Sequence, residues 1–438
     1  MGETIWGHRL VISLSDKVGF NRKWGYILLA FFLSFPIPVS RVFIFVLIFS
    51  RLIALKVERK NLSNLRNTLF QYLLPILFLV YALSLVYSTN FTYGLKQLEK
   101  AFPLLLVSLS FTYDEFSDTD RVKILKSFIY GIITMCFFLL GKAFYNSLYL
   151  QDGSLLFDPR VLRDPRITYI HSVNWGGNHF FSDAFIDFMH PSYFGMYLVF
   201  SLACLFYLFK GNHLSSKATG IFSFLLLFIL FLSSSRASHL SLVLVAVVIL
   251  IDDELFSRKK KAFTFTIVIA VLALFVIFNP RWLEFSGLQD MREGKIEYRG
   301  SVPERLMSWD ASINLIQENV LYGYGIGDVQ SELNRTYTDL NYQRPLYESY
   351  NAHNQFLQTF LCAGIMGFVV LLLVFLRLFV LYKQTNHLLI LVFALVVVIH
   401  FSFESMLERY AGVVFFAFFY ALFNALNLKK LDFNDCNN

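Results

Sequence analysis

The chain has little charge for its length. Of its 438 residues, 16% are Asp, Glu, Lys or Arg, against roughly 25% in a soluble globular domain. A water-facing surface needs those residues, so a soluble domain is excluded. Cysteine is also scarce. Cys136, Cys204 and Cys362 lie inside apolar runs and Cys436 lies in the tail, with no paired spacing. Neither a disulfide framework nor a cysteine metal cluster is expected. No Asp-x-Asp or clustered carboxylates stand where a divalent ion would need them, so neither a metal nor a cofactor is expected. The first twenty residues are too polar for a cleavable signal peptide, and the first membrane helix is expected to act as the insertion signal. No internal repeat or low-complexity tract stands out.

Apolar residues are abundant. Hydrophobic residues make up 56% of the chain and the mean hydropathy is +0.55. Several runs are long enough to cross the roughly 30 Å hydrocarbon core of a bilayer. The fold class expected is therefore all-α: one integral membrane domain over 1–438 with about twelve transmembrane helices. They fall near 24–38, 40–55, 68–87, 99–112, 125–147, 191–209, 217–234, 237–252, 262–279, 355–382, 387–402 and 409–427. Pro36, Pro38 and Pro103 shorten or interrupt the first, second and fourth. The 50 Phe and 23 Tyr suit lipid-facing and interfacial positions. The net charge of +7 is no nucleic-acid footprint, because the basic residues sit in short loops between apolar runs.

Those basic residues set an orientation. Lys56, Arg59, Lys60, Arg66, Lys210, Lys217, Arg258 to Lys261, Lys429 and Lys430 fall on one side if both termini are cytoplasmic. Two longer polar segments, 148–190 and 280–354, then fall on the outer side. The second carries helix signals of its own. Ser301-Val302-Pro303-Glu304 resembles a capping box, and Leu306, Trp309, Ile313 and Ile316 follow at helical spacing. Arg305 and Trp309 share a face of that helix, which ends towards Asn319. The aromatic residues Tyr169, Trp175, Phe180 and Phe181 of the first loop suit either stacking on sugar rings or a place in the interface.

The same topology gathers polar residues from independent segments at the outer face. His190 opens the sixth span, and Arg236 sits in the tight turn between the seventh and eighth. Arg305 lies on the loop helix, His353 begins the tenth span, and Glu404 lies in the turn between the eleventh and twelfth. Each has a plainer reading. Arg236 suits snorkelling to the headgroups, although burial among serines argues for more. Arg305 suits a solvated helix charge, His190 a helix cap, and Glu404 an ion pair with Arg409 or Arg236. His171, His239 and His400 carry less. Gly323-Tyr324-Gly325-Ile326-Gly327 has no strand before it and no Rossmann unit after it. It reads as a tight turn presenting backbone amides to which an anion would bind.

His353 stands at a helix amino terminus, where the dipole disfavours imidazolium and leaves a neutral base. Helical period sets Gly364 and Gly367 a few turns below on the same stripe. Two guanidiniums suit a diphosphate, which they grip bidentately, and a neutral imidazole between them suits activation of a hydroxyl. The combination points to metal-free transfer from a lipid diphosphate donor to an acceptor hydroxyl, with the arginines stabilising the leaving group.

His353-Asn354 followed by Gly364-Ile365-Met366-Gly367 resembles the signature of bacterial O-antigen ligases and the related polysaccharide polymerases. Arg305-x-x-x-Trp309, the Gly323-x-Gly325-x-Gly327 turn and Ser235-Arg236 extend the resemblance, which covers chiefly 190–410. It implies a GT-C-like glycosyltransferase of the bacterial inner membrane, working at the periplasmic face. The donor it implies is an undecaprenyl-diphosphate-linked glycan, and the acceptor is a sugar hydroxyl of lipid A–core. By that analogy His353 is the base, Arg236 and Arg305 hold the donor diphosphate, and the anomeric configuration inverts. Asn354, Glu404, His190, Trp309 and Gly325 are secondary site residues by the same analogy. A polymerase or a protein O-oligosaccharyltransferase would share this chemistry. A lipid-linked glycan transporter would instead show inverted repeats and broken midplane helices with ionisable residues, and the sequence shows neither.

Overall fold

Eleven of the twelve expected spans coincide with helices. The structure, a computed structural model, describes residues 23–57, 69–111, 116–164, 166–174, 177–251 and 301–425, and residue 270 by itself. The expected span at 262–279 lies outside the described residues. So do Trp175, the first part of the 280–354 segment, and most of the basic residues that set the orientation.

The helices are α1 (Lys23–Phe32), α2 (Ile37–Val57), α3 (Leu73–Ser84), α4 (Phe91–Phe111) and α5 (Asp118–Ser147). The hairpin strands β1 (Leu148–Gln151) and β2 (Ser154–Phe157) follow, then the short helices α6 (Tyr169–Asn174) and α7 (Ser182–Phe185). Next come α8 (Pro191–Lys210), α9 (Ser216–Ser233) and α10 (Arg236–Ile251). Beyond residue 300 stand α11 (Ser301–Glu318), α12 (Val329–Asp339), α13 (Gln343–Tyr347), α14 (Gln355–Thr385), α15 (Leu388–Phe403) and α16 (Tyr410–Ala425). Four of them, α5, α8, α9 and α14, are long and apolar enough to cross a membrane unaided. The others that match expected spans are shorter or less apolar. Proline acts unevenly: α1 and α2 part at 33–36, beside Pro36, whereas α4 continues through Pro103. The two-stranded sheet is an exception to the all-α expectation.

The aromatic residues do more than face lipid. Phe415, Phe416, Phe418 and Phe419 of α16 are fully buried. The Phe415 ring stacks on Tyr197 of α8 at 4.5 Å, and Phe393 of α15 packs parallel to Phe416. Large flat rings fill the bundle centre, where edge and face contacts add to apolar burial.

Helix α14 breaks at Gly364, against which Gly323 of the preceding turn is packed. Ala363 and Gly364 leave helical geometry, and Gly364 has φ +59° with ψ −156°, a region essentially reserved for glycine. The backbone of 320–324 docks into the gap: Tyr324 N donates to Leu361 O at 2.7 Å and Ile365 N to Val320 O at 3.0 Å. A Cβ on Gly364 would lie 2.1 Å from Leu321 O, and one on Gly323 2.4 Å from Leu361 O. Gly364 therefore interrupts the helix where an unbroken stripe was expected. Gly364→Ala is expected to lower stability by roughly 2–5 kcal/mol, from backbone strain and forced overpacking together. Thermal unfolding of the purified protein in detergent measures it; an unchanged midpoint would contradict the close approach.

Candidate functional site

Glu404 is the centre of the polar cluster. It follows the last turn of α15, its backbone extended and its side chain 7% exposed. One carboxylate oxygen accepts from Arg305 Nη2, and the other lies 3.1 Å from His353 Nδ1. Arg305 Nε also donates to Phe403 O at 3.0 Å. Burial by itself pushes the Glu404 carboxyl up. The Arg305 guanidinium, His190 and His353 outweigh it and hold the group well below the usual carboxylate range. The sequence suggests Arg409 or Arg236 as the partner of Glu404; the structure pairs it with Arg305 and His353.

The local sequence fixes His353 from several sides. Asn354 caps α14, its Oδ1 accepting from Phe356 N and Leu357 N, while its Nδ2 donates to Ser402 O. His353 therefore sits one residue before the cap, in the left-handed region at φ +45°. Its N–H donates to Asn351 Oδ1 at 3.0 Å, and Trp309 Nε1 donates to its carbonyl at 3.3 Å. The Tyr350 ring meets the imidazole edge-on at 4.9 Å. The helix end is thus not the only field at His353, because a carboxylate faces its Nδ1. With Nδ1–H turned to Glu404, the basic lone pair is on Nε2.

A cavity of about 500 Å³ opens beside this cluster, within the size range of small-molecule sites. Arg236, Arg305, His190 and Trp309 all line it, together with Asp183, Ser192, Ser235 and the apolar Leu240 and Leu306. His353 and Glu404 are not among its lining residues and connect to it through Arg305. His190 caps α8, its Nδ1 accepting from Ser192 N at 3.3 Å. Arg236 is the first residue of α10, after Ser234 in the left-handed region. A ladder of hydroxyls holds this turn in place: Ser235 Oγ to Ser192 Oγ at 3.4 Å, Ser238 Oγ to Ser235 Oγ at 2.8 Å, and Ser238 Oγ to His400 Nε2 at 3.0 Å.

Helix α11 presents a different face from the one its apolar spacing suggested. Met307, Ser308, Ala311, Ser312 and Leu315 are buried, whereas Leu306 and Ile313 are exposed. Ser301, the first described residue of this segment, is already helical rather than a cap residue as the capping-box reading has it. Small residues at 308, 311 and 312 let α11 lie close against the bundle, which leaves Arg305 and Trp309 turned into the cavity.

The glycine turn has another task. Its amides are taken up by the protein: Ile326 N donates to Ser84 Oγ and Gly327 N to Ser88 Oγ, both at 3.1 Å. A Cβ on Gly325 would lie 2.3 Å from Ser88 Oγ. Gly325 thus seats the 323–327 turn on the end of α3, and the anion-binding reading has no amides left at these positions. Nor do the described first-loop aromatics Tyr169, Phe180 and Phe181 line the cavity; Phe181 is buried against Phe231.

Several polar residues escaped the sequence reading. Glu408 accepts from Asn351 Nδ2 at 2.8 Å and from Gln358 Nε2. Its carboxyl is pushed up by burial, against those hydrogen bonds and the charge of Lys100. Tyr350 Oη donates to Glu304 Oε2 at 3.2 Å, and Arg344 Nε lies 3.6 Å from Glu304 Oε1. Tyr350 and Asn351 stand just before His353 in sequence, a signal that could have found them; Asp183 carries no local signal. Among the described residues, no group of three His, Cys, Asp or Glu is placed to hold a metal ion.

A comparison with curated proteins finds no match. Residues 221–372 match the family model described as O-antigen ligase. That stretch, about a third of the chain, contains Arg236, Arg305, Trp309, His353, Gly323 and Gly364, while His190 and Glu404 lie beyond it. The described chain is helical, with four helices long and apolar enough to cross a membrane, and its residues 221–372 are similar to the O-antigen ligase family.

Proposed function

We propose that this protein is an O-antigen ligase-type glycosyltransferase of the bacterial inner membrane, GT-C-like in architecture, with its site at the periplasmic face and both termini cytoplasmic. Members of the matched family are ligases or polymerases that join lipid-linked glycans. In the proposed reaction, His353 Nε2 takes the proton of an acceptor sugar hydroxyl, here lipid A–core. The acceptor oxygen bonds to the anomeric carbon from the face opposite the leaving group. The carbon–oxygen bond to undecaprenyl diphosphate breaks, the diphosphate departs with the electron pair, and the configuration inverts. Arg236 and Arg305 meet the charge that develops on the diphosphate, the task a divalent ion performs elsewhere. Glu404 holds the tautomer of His353 and stabilises the imidazolium as it forms, in the manner of the carboxylate in a hydrolase triad.

One observation carries the reading: two arginines from separate segments line a single cavity, and one of them shares its carboxylate with the imidazole. A polymerase or a protein O-oligosaccharyltransferase would use the same groups, and a transporter would need no base at all. Deleting the gene and analysing the surface glycan separates them. The expected result is accumulation of full-length lipid-linked chains with unextended lipid A–core. Single-repeat products would indicate a polymerase, and normal lipopolysaccharide with underglycosylated proteins the protein transferase. Donor stranded on the cytoplasmic side would indicate transport.

A further inference from the structure

The hairpin β1–β2 exposes an apolar face that water does not stabilise. It turns at Asp152-Gly153, both residues at positive φ, the turn chemistry that two-residue hairpins favour. Its register pairs Leu148 with Phe157 and Leu150 with Leu155. Because side chains alternate along a strand, these four occupy one face. Leu150 is 76% exposed, Leu155 65% and Phe157 52%. The other face carries Tyr149, Gln151, Ser154 and Leu156, with the Arg163 guanidinium 4.2 Å above the Tyr149 ring. A two-stranded hairpin is marginal in water unless something covers its apolar face.

Continuity says what covers it. The hairpin starts at the residue after α5, one of the four helices able to cross a membrane. At 30 residues α5 is about 45 Å long, more than the roughly 30 Å hydrocarbon core. Its last turns expose Phe144 and Tyr145, and the Phe144 ring meets Phe157 of the hairpin at 5.7 Å. The apolar face of the hairpin thus extends the lipid-facing side of the helix, while the arginine-bearing face turns away from it. An apolar face backed by a cationic, aromatic one is the pattern of elements that lie in the headgroup–acyl boundary.

We propose that the hairpin is a lipid-seated clasp, its Leu148–Leu150–Leu155–Phe157 face lying in the membrane interface at the end of the bundle that holds the cavity. The chain beyond it is tied back in a way that makes this matter to the site. Asp158 N donates to Ser147 O at 2.8 Å, Val161 N to Gly177 O at 2.9 Å, and His179 N to Pro159 O at 2.8 Å. Asn178 pairs with Arg160, and four residues later Ser182 and Asp183 form part of the cavity wall. The clasp therefore fixes the height of that wall relative to lipid headgroups.

Spin-label accessibility in lipid nanodiscs tests this with the full chain. Cys136, Cys204 and Cys362 are buried, so a Cys436→Ser background carries single labels at Leu155→Cys and, at the turn, Asp152→Cys. The oxygen-to-nickel-chelate accessibility ratio is expected to be severalfold higher at 155 than at 152, with Leu150→Cys giving the same answer on the same face. Equal ratios would mean that the hairpin stands in water. Exclusion of both reagents at 155, with dipolar broadening between labels, would mean that a second copy covers it. Either result overturns the proposal.

Discussion

His353→Ala abolishes glycan transfer while the protein still inserts and folds. The expected loss is about 10²- to 10⁴-fold, the usual contribution of a positioned general base. Folding survives because the contacts that fix this segment are mostly made by its neighbours. Asn354 caps α14, Asn351 reaches Glu408, and Trp309 binds the backbone carbonyl of 353, which alanine keeps. Glu404 retains Arg305. Purified protein in nanodiscs, supplied with lipid-linked donor and acceptor, gives the measurement. Transfer at the wild-type rate would defeat the assignment of His353 as base, whatever the acceptor proves to be.

Arg236→Ala and Arg305→Ala each slow transfer by roughly 10²- to 10³-fold, as loss of a preorganised donor to a developing anion does elsewhere. Lysine does not restore the rate at either position, because a point charge lacks the planar fork that grips two phosphate oxygens. The two variants differ in stability. Arg305→Ala leaves the Glu404 carboxylate without its strongest opposing charge, and breaking a buried pair in this way costs about 3–5 kcal/mol. Arg236→Ala spares that pair and is expected to unfold later on heating. Donor binding and turnover that survive both replacements would show the clamp to be misassigned.

Sequence patterning disclosed the helices and some of the convergence, for reasons that differ by residue. Long apolar runs announce spans because the hydrocarbon core leaves a backbone few other choices. Topology alone then brings His190, Arg236 and Arg305 to one end of the bundle, where they now line a common cavity. Glu404 was visible as a carboxylate in a short turn, but its partners were not, since pair geometry depends on how α11 packs against α12 and α14. The face that α11 buries includes the small residues Ser308, Ala311 and Ser312, which hydrophobic periodicity does not register. The glycine turn misled for a related reason: amides free in sequence are spent on Ser84 and Ser88, more than two hundred residues away. The hairpin left a local sign in Asp152-Gly153, yet its apolar alternation is too short to compete with the spans around it.

The break in α14 has a genetic consequence. The backbone next to each of Gly323 and Gly364 fills the space that a side chain on the other would need, so the two positions act as a single unit. Exchange at either disrupts the same close approach, so that part of the cost is counted once and the double variant is expected to fall short of the sum of the singles, although each position keeps its own positive-φ strain. A compensating change at the partner position is therefore not available, and suppressors of either lesion must arise elsewhere in the chain.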